Sequence, residues 1–303
     1  MMDRAITGIH HITAIAGDPQ RNLDFYTGVL GLRLVKLTVN FDDPGTYHFY
    51  FGNQAGAPGS IITFFPWPGI RQGVTGTGQV TAASFAIPPG SGDYWRRHIA
   101  EHGGLPRDGG VRFGEPVTHF ADPDGLPLEL IETARAPAPG HAISSFHSAT
   151  LSEEGYEHTA ALLSDTMGFT LAGTEGNRFR FTAGNGPAAI VDVLCTPDAR
   201  PGRLGGGTVH HIAFRTPDDP QQREWRTGLA ALGYDVSPVM DRGYFHSIYY
   251  REPGGVLFEI ATDTPGFATD EPPHELGRRL RLPAQYEHLR ASLEQKLPKL
   301  RLP

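Results

Sequence analysis

The sequence predicts an α+β fold made of four βαβββ modules, arranged as two cupped mixed-sheet half-barrel domains. Three observations lead to this fold class. Four segments open with a strand that alternates apolar and polar residues, the period of a half-buried strand. Each strand is followed by an amphipathic stretch that ends in glycine, as helices commonly do. Turn-rich β segments complete each module, and the modules begin roughly 60–70 residues apart.

The first two modules occupy the N-terminal half of the chain. In module one the first strand, the helix and the next strand read HHITAIAG, PQRNLDFYTGVLG and LRLVKLTVNF. In module two the first strand, the helix and the last β segment read VTAASFAIP, GDYWRRHIAEHGG and EPVTHFADPDGLPLELIET. Gly31 and Gly104 stand where the two helices are expected to end.

Modules three and four repeat this order. Module three reads FHSATLSE, GYEHTAALLSDTMG and FTLAGTEGNRFRFTAGNGPAAIVDVL, and module four begins with VHHIAFRTP and PQQREWRTGLAALG. The last stretch of module four, SIYYREPGGVLFEIA, alternates on both sides of Pro-Gly-Gly and predicts a hairpin. Gly168 and Gly233 are the expected helix ends. A βαβββ unit exposes one apolar sheet face, so units are expected to pair.

The predicted domains follow the order of the modules along the chain. Residues 1–140 hold modules one and two, residues 141–264 hold modules three and four, and residues 265–303 form a C-terminal helical tail. The tail mixes Arg and Lys with Glu at helical spacing, which is typical of a solvated or docking helix.

Composition excludes several classes of function. No apolar run approaches the 18 or so residues of a membrane span, and the N-terminal MMDRAITGIHH lacks the features of a signal peptide. The net charge of −7 argues against broad nucleic-acid binding. Cys195 is the single cysteine and cannot form an internal disulfide, so a cytoplasmic location is expected. Association into a homo-oligomer stays open.

The module plan resembles the vicinal oxygen chelate superfamily, which includes glyoxalases and extradiol ring-cleaving dioxygenases. The likeness extends to about residue 264. Within the superfamily, HHITAIAGDPQRNLDFYTGVLGLRLVKLTVNFDDPGTYHFYFG, TFFPWPG, VHHIAF and YYREPGGVLFEIATD are most similar to hydroquinone-type ring-cleaving dioxygenases. These strings are specific for the subfamily and less specific for the substrate.

The resemblance implies a metal centre in which two histidines and one carboxylate bind a divalent ion. His11, His211 and Glu259 match the ligand positions of the family. Two imidazoles and a carboxylate on one face suit Fe(II), because they leave adjacent positions open for substrate and O₂. Fe(II) is therefore the expected cofactor, with Mn(II) as a substitute. The site is expected to join module one with module four.

Comparison of the modules with one another predicts one working site per chain. Gapless matches set Glu129 against Glu259 and Ala82 against His211, and module three offers His147, in FHSATL, against His11. Pairing of modules two and three would thus give an incomplete site. If modules three and four pair instead, His147 would replace the first ligand. The hydroquinone-type resemblance favours pairing of the outermost modules.

The same resemblance implies which side chains surround the substrate. Tyr249 and Arg242 match family positions next to the substrate, and His10, Thr13 and His210 would complete the pocket wall. Tyr249 is expected to donate a hydrogen bond to a metal-bound phenolate. His10 or His210 would handle protons, and Arg242 would balance anionic charge.

These expectations together predict an Fe(II)-dependent extradiol-type ring-cleaving dioxygenase that takes a small dihydroxylated aromatic substrate and O₂. A glyoxalase I-like isomerase is the nearest alternative, but such enzymes use a second carboxylate at the metal. A non-catalytic small-molecule-binding protein of the same superfamily is the other alternative. Such members often lose metal ligands, whereas this chain keeps all three.

Overall fold

The computed structural model describes residues 6–135 and 138–303. Residues 1–5, where the predicted first domain and the N-terminal segment begin, lie outside the described residues. So do residues 136–137, close to the predicted end of that domain.

Four modules follow one another along the chain, each with one helix and four strands. Module one holds β1 (Ile9–Ala16), α1 (Pro19–Asp24, continued by a π-helical turn Phe25–Val29), β2 (Arg33–Val39), β3 (Tyr47–Gly52) and β4 (Ile61–Pro66). Module two holds β5 (Gln79–Ile87), α2 (Gly92–Glu101), β6 (Arg107–Arg112), β7 (Glu115–Ala121) and β8 (Pro127–Glu132). Module three holds β9 (Ser145–Glu153), α3 (Glu157–Ala161, continued by a π-helical turn Leu162–Thr166), β10 (Thr170–Glu175), β11 (Arg178–Thr182) and β12 (Ile190–Cys195). Module four holds β13 (Thr208–Thr216), α4 (Asp219–Ala231), β14 (Met240–Asp241), β15 (Phe245–Arg251) and β16 (Leu257–Pro265).

The strands form two mixed eight-stranded sheets, and the predicted α+β class is confirmed. The order is β14-β15-β16-β13-β1-β4-β3-β2 in the first sheet and β10-β11-β12-β9-β5-β8-β7-β6 in the second. The first sheet therefore combines modules one and four, and the second combines modules two and three. Each sheet takes one module from residues 1–140 and one from residues 141–264, so the hydrogen-bonded units cut across the order along the chain.

Local sequence explains how the helices begin and end. Asp18 and Asp218 are the N-caps of α1 and α4, and each side chain accepts a hydrogen bond from the backbone N–H three residues later. Gly31 has a positive φ of 66° after the first helix, as expected of a C-terminal glycine. After α2 this conformation belongs to Gly103, with φ of 80°, and not to the predicted Gly104. The helix therefore turns one residue earlier, because either glycine of the Gly-Gly pair can supply the left-handed conformation.

The C-terminal segment after β16 packs against the first sheet. It contains short 3₁₀ turns (Phe267–Thr269, Pro273–Glu275, Ala284–Leu289) and one helix, α5 (Arg290–Lys296). Phe267 is buried against Tyr50, Tyr244 and Phe245. Buried Lys36 of β2 donates to Asp270 at 2.6 Å and also pairs with Glu271. The segment thus closes one end of the first cup.

Candidate metal centre

Three buried side chains converge in the cup of the first sheet. Nε2 of His11 lies 3.3 Å from Oε2 of Glu259, and Nε2 of His211 lies 2.9 Å from the same oxygen. The two Nε2 atoms are 3.3 Å apart. One ligand atom from each residue lies within 4.8 Å of the others. The structure therefore brings together the three residues expected to bind metal.

Strand register explains why these residues meet. β1 and β13 are antiparallel neighbours at the centre of the sheet, and β16 runs parallel to β13 on the far side. His11 lies opposite Ala213, which in turn lies beside Glu259. His211 is two residues before Ala213 and shares its face, because side chains alternate along a strand.

The repeated His-His pair has a structural cause. Register shifts in the β1–β13 ladder leave His10 unpaired between Ile9 and His11, and leave His210 unpaired on β13. Each first histidine is thus the extra residue of a β-bulge, which re-aims side chains at functional sites. Nδ1 of His10 lies 2.9 Å from Nδ1 of His11, and the corresponding distance for His210 and His211 is 2.8 Å.

These contacts set the tautomers that metal binding needs. If Nε2 of His11 and His211 is the ligand atom, the proton of each ring is on Nδ1 and is donated to Nδ1 of the preceding histidine. The preceding rings must then be neutral. Burial, followed by the neighbouring His11, lowers the pKa of His10 well below its usual value. Burial, followed by His211, lowers the pKa of His210 to about 3.

The two oxygens of the Glu259 carboxylate differ in their hydrogen bonding. Ser247 donates to Oε1 of Glu259, whereas Oε2 has no hydrogen-bond partner among the described residues. Burial by itself would raise the pKa of Glu259, but His11 and His211 lower it well below its usual value. A buried, ionised oxygen that faces two imidazole nitrogens is a donor set that fits a divalent transition metal.

A cavity of about 400 Å³ reaches the two histidine ligands. Thr13, His210, Arg242 and Tyr249 line this cavity, so four of the five expected substrate-contacting residues are there. His10 is not among the described residues that line it. Its ring is buried and lies 5.1 Å from that of Phe245. His10 is therefore placed to hold His11 and not to touch a substrate.

Tyr249 and Arg242 act as one unit at the cavity wall. The ring of Tyr249 packs edge-on against His211, with 5.6 Å between centroids. Nε of Arg242 donates to the Tyr249 hydroxyl at 3.3 Å. Burial, followed by the charge of Glu259, raises the pKa of Tyr249 well above its usual value. The phenol therefore keeps its proton.

Sequence reasoning missed a buried chain of hydrogen bonds on the opposite wall. Oγ1 of Thr13 lies 2.8 Å from Oγ1 of Thr63, which lies 2.8 Å from Nε2 of His48. The hydroxyl of Tyr50 lies 2.9 Å from Nδ1 of the same imidazole. The signal was the alternation in YHFYFG, which puts His48 and Tyr50 on one face of β3. It did not show that this face lines the cavity.

The second sheet holds the counterpart of this centre without the ligands. His147 is the unpaired bulge residue of β9, as His10 is in β1. Ser148 follows it and is therefore the equivalent of His11, so the expected match of His147 with that ligand was wrong by one residue. Both strands carry the bulge at the same place, so the correct match sets His147 against His10 and Ser148 against His11 without a gap. His147 lies 2.9 Å from Glu115 in the second sheet and is not part of the three-residue cluster.

The family model described as "Glyoxalase/Bleomycin resistance protein/Dioxygenase superfamily" matches residues 8–130 and 145–260. The chain belongs to this superfamily. The two matched ranges cover the four modules and contain His11, His211 and Glu259. The expected superfamily is therefore confirmed.

Similar proteins carry dioxygenase names. The chain is 50% identical over 305 residues to "Putative ring-cleaving dioxygenase MhqO" of Bacillus subtilis, covering 98% of this chain and 97% of that protein. It is 37% identical over 308 residues to "Chlorohydroquinone/hydroquinone 1,2-dioxygenase" of Sphingobium indicum, covering 95% of each. A solved structure titled "putative dioxygenase" from Bacillus subtilis has a TM-score of 0.95 and 48% identity, covering 99% of both chains.

These relatives confirm the expected enzyme class, an oxidoreductase that incorporates oxygen. Among the described residues, no helix is long and apolar enough to cross a membrane.

Proposed function

We propose that the chain is an Fe(II)-dependent extradiol-type dioxygenase that opens the ring of a hydroquinone or related dihydroxylated aromatic. The observation that carries this proposal is the convergence of His11, His211 and Glu259 beside an aromatic-walled cavity. Phe65, Trp67 and Phe245 contribute to these walls. The name of the Sphingobium indicum relative supports the choice of substrate.

His11, His211 and Glu259 would hold the metal, with Mn(II) as a substitute for Fe(II). When bound, the ion would bring substrate and O₂ together and lower the pKa of the substrate phenol. The neutral donors of the histidines and the single carboxylate leave the site one negative charge, which suits a divalent cation.

Tyr249 would orient the substrate by donating a hydrogen bond from its hydroxyl to a phenolic oxygen of the substrate. Arg242 donates to the same hydroxyl oxygen, so the Tyr249 proton points away from the guanidinium and is free for the substrate. Because the pKa of Tyr249 is raised, the phenol stays a donor at neutral pH. Arg242 also supplies positive charge near the anionic form of the substrate.

His210 is the better candidate for proton transfer, because it lines the cavity and His10 does not. If His211 donates its Nδ1 proton to His210, the proton of His210 lies on Nε2. This nitrogen has no other hydrogen bond among the described residues, since the contact to His211 uses Nδ1. His210 can therefore donate a hydrogen bond from Nε2–H to a substrate oxygen, which would orient the phenol as it loses its proton. Thr13 would add a hydroxyl to the same wall.

The glyoxalase I-like alternative lacks its second carboxylate. Among the described residues, no further Asp or Glu joins the cluster of His11, His211 and Glu259. Thr63 lies opposite Thr13 in the ladder of β1 with β4, and its hydroxyl is engaged by Thr13 and His48. No residue at this position can therefore serve as the base of an isomerase.

The test is iron loading under anaerobic conditions, followed by O₂ uptake with hydroquinone, methylhydroquinone, chlorohydroquinone and catechol. We expect about one iron per chain and consumption of at least one hydroquinone. His11→Ala should lose the iron and the activity, whereas His147→Ala should keep both, because His147 lies in the other sheet. Equal iron binding by wild type and His11→Ala, without uptake of any substrate, would contradict the proposal.

A further inference from the structure

We propose that Asp42 makes the cavity selective for uncharged hydroquinones over rings that carry a carboxylate, by occupying the guanidinium of Arg242. This inference rests on the proposed function and adds the residue that sets the substrate class. Asp42 lies on the cavity rim, in the loop between β2 and β3, and Arg242 reaches it from the other module of the same sheet.

The three guanidinium nitrogens of Arg242 all have partners. Nη2 lies 3.2 Å from Oδ2 of Asp42, and Nη1 donates to Oδ1 at 3.4 Å. Nε donates to the hydroxyl of Tyr249. Two nitrogens facing two carboxylate oxygens is the arrangement that a substrate carboxylate would also need. Such a substrate would have to displace Asp42 to bind Arg242.

The charges around the cavity disfavour anions. Arg242 is the only Arg or Lys among the described residues that line it, whereas Asp42 and Asp43 both do. Hydrogen bonds from Thr46 and Trp67 lower the pKa of Asp43, so this carboxylate is ionised at neutral pH. The rim therefore holds two carboxylates against one guanidinium.

The remaining walls offer an anion no compensation. Burial lowers the pKa of His48 well below its usual value, and its two ring nitrogens are engaged by Thr63 and Tyr50. Phe65 and Trp67 contribute apolar surface. A neutral alkyl or halogen substituent loses nothing at such a wall, whereas a carboxylate loses its hydration without gaining a partner.

Substitution of Asp42 separates charge selection from fold. Asp42 is on the surface, with 68% of its side chain exposed. Asp42→Asn removes one negative charge and leaves a single acceptor oxygen, so at least one of the two nitrogens of Arg242 that face Asp42 is free for a substrate. Asp42→Glu keeps the charge. Asp93→Asn is the control, because Asp93 forms an exposed pair with Arg96 on α2, away from the cavity residues.

The experiment measures kcat/KM for O₂ uptake by the iron-loaded protein with methylhydroquinone and with 2,5-dihydroxyphenylacetate. Wild type should prefer the uncharged ring by about tenfold or more, and Asp42→Asn should reduce this preference by roughly tenfold. Asp42→Glu and Asp93→Asn should keep the preference of wild type. Equal use of both rings by wild type, or an unchanged preference in Asp42→Asn, would overturn the proposal.

A binding experiment without turnover distinguishes this inference from the proposed function. Tryptophan fluorescence of the anaerobic iron-loaded protein is titrated with 4-methylphenol and with 4-hydroxyphenylacetate, since Trp67 lines the cavity. Asp42→Asn should bind the anion about tenfold more tightly relative to the neutral phenol than wild type does. If no hydroquinone is consumed but this shift occurs, only the proposed function fails. If hydroquinone is consumed and neither preference shifts, only the selection by Asp42 fails.

Discussion

The two cups of the molecule share one architecture but treat the same carboxylate position in opposite ways. In the first cup, Glu259 faces two histidines and keeps Oε2 free of hydrogen bonds. In the second cup, Glu129 stands at the equivalent position, beside Ser84 in the ladder of β5 with β8. Arg112 donates to both of its oxygens, at 2.7 and 2.8 Å. An arginine thus stands where the first cup has room for a cation.

The arginines show how this difference arose from equivalent residues. Arg242 and Arg112 stand at equivalent places at the start of the same turn, since the N–H of Arg242 donates across the turn to the carbonyl of Phe245 and Arg112 pairs with Glu115. Arg112 turns towards the carboxylate, whereas Arg242 turns towards Tyr249 and the rim. The cup without the two histidines therefore contains an internal ion pair between Arg112 and Glu129. A buried carboxylate needs a positive partner, and either a metal or an arginine can be that partner.

The largest effect should come from neutralising the carboxylate of the first cup. Glu259→Gln removes the anionic ligand and should lower kcat/KM for O₂ uptake by roughly a thousandfold or more, with loss of bound iron. Glu129→Gln should keep iron and activity, because Glu129 lies in the other sheet and is not part of the cluster of His11, His211 and Glu259. The measurement is the iron content and the kcat/KM of both variants. Equal iron content in the two variants would show that the cups do not differ in this way.

The second effect concerns stability. Arg112→Met removes the two hydrogen bonds of the guanidinium to buried Glu129, which keeps its contacts to His119 and Ser84, and should lower the free energy of unfolding by about 3–5 kcal/mol. Arg242→Met should cost much less stability, because its partner Asp42 is largely exposed. It should instead lower kcat. Denaturant titration and steady-state kinetics measure the two effects, and similar losses of stability in both variants would count against the contrast.

The smallest predicted effect concerns two equivalent hairpin turns, between β15 and β16 in the first sheet and between β7 and β8 in the second. Glu252 in Arg-Glu-Pro-Gly-Gly lies against Glu153 of the second sheet, and Thr159 lies 2.6 Å from a carboxylate oxygen of each. The equivalent turn carries Asp122, to which Tyr26 donates at 3.1 Å. Glu252 therefore faces a carboxylate of the other sheet, whereas the neighbouring carboxylate of Asp122 is Asp124 of its own turn, and burial raises the pKa of Asp122 to about 7. Burial, followed by the charge of Glu252, raises the pKa of Glu153 to about 8, and burial also raises the pKa of Glu252.

This pair should make stability depend on pH with a defined sign. The folded state holds a proton more tightly than the unfolded state, whose Glu pKa is about 4.3. The stabilisation is therefore complete below about pH 4 and is lost as pH rises to about 8. Glu153→Gln should remove this dependence and unfold with a free energy higher than wild type by roughly 1–3 kcal/mol above pH 8. Parallel pH profiles of the two proteins, from denaturant titrations between pH 4 and 9, would refute the prediction.

Much of this organisation is readable in the sequence because it depends on local patterns. Period-two strands, capping aspartates before helices and glycines after them depend on a few neighbouring residues, and they placed the four modules correctly. The repeated His-His pairs and the glutamate of VLFEIATD drew attention to His11, His211 and Glu259. The structure brings these three together, and their role as ligands stays a prediction.

Other features depend on contacts between distant residues. Four similar modules can pair in more than one way, and only the packed sheets decide that modules one and four share a cup. His147 was matched to the wrong position because it is the only histidine of its strand, and only the strand pairing shows that it is equivalent to His10 and that Ser148 is equivalent to His11. His48 of β3 and Asp42 of the loop before it become cavity residues only because both segments curve around the cup. The sequence thus determines the modules and their chemical groups, whereas tertiary packing decides which groups meet, because a site between strands 200 residues apart exists only once both strands lie in one sheet.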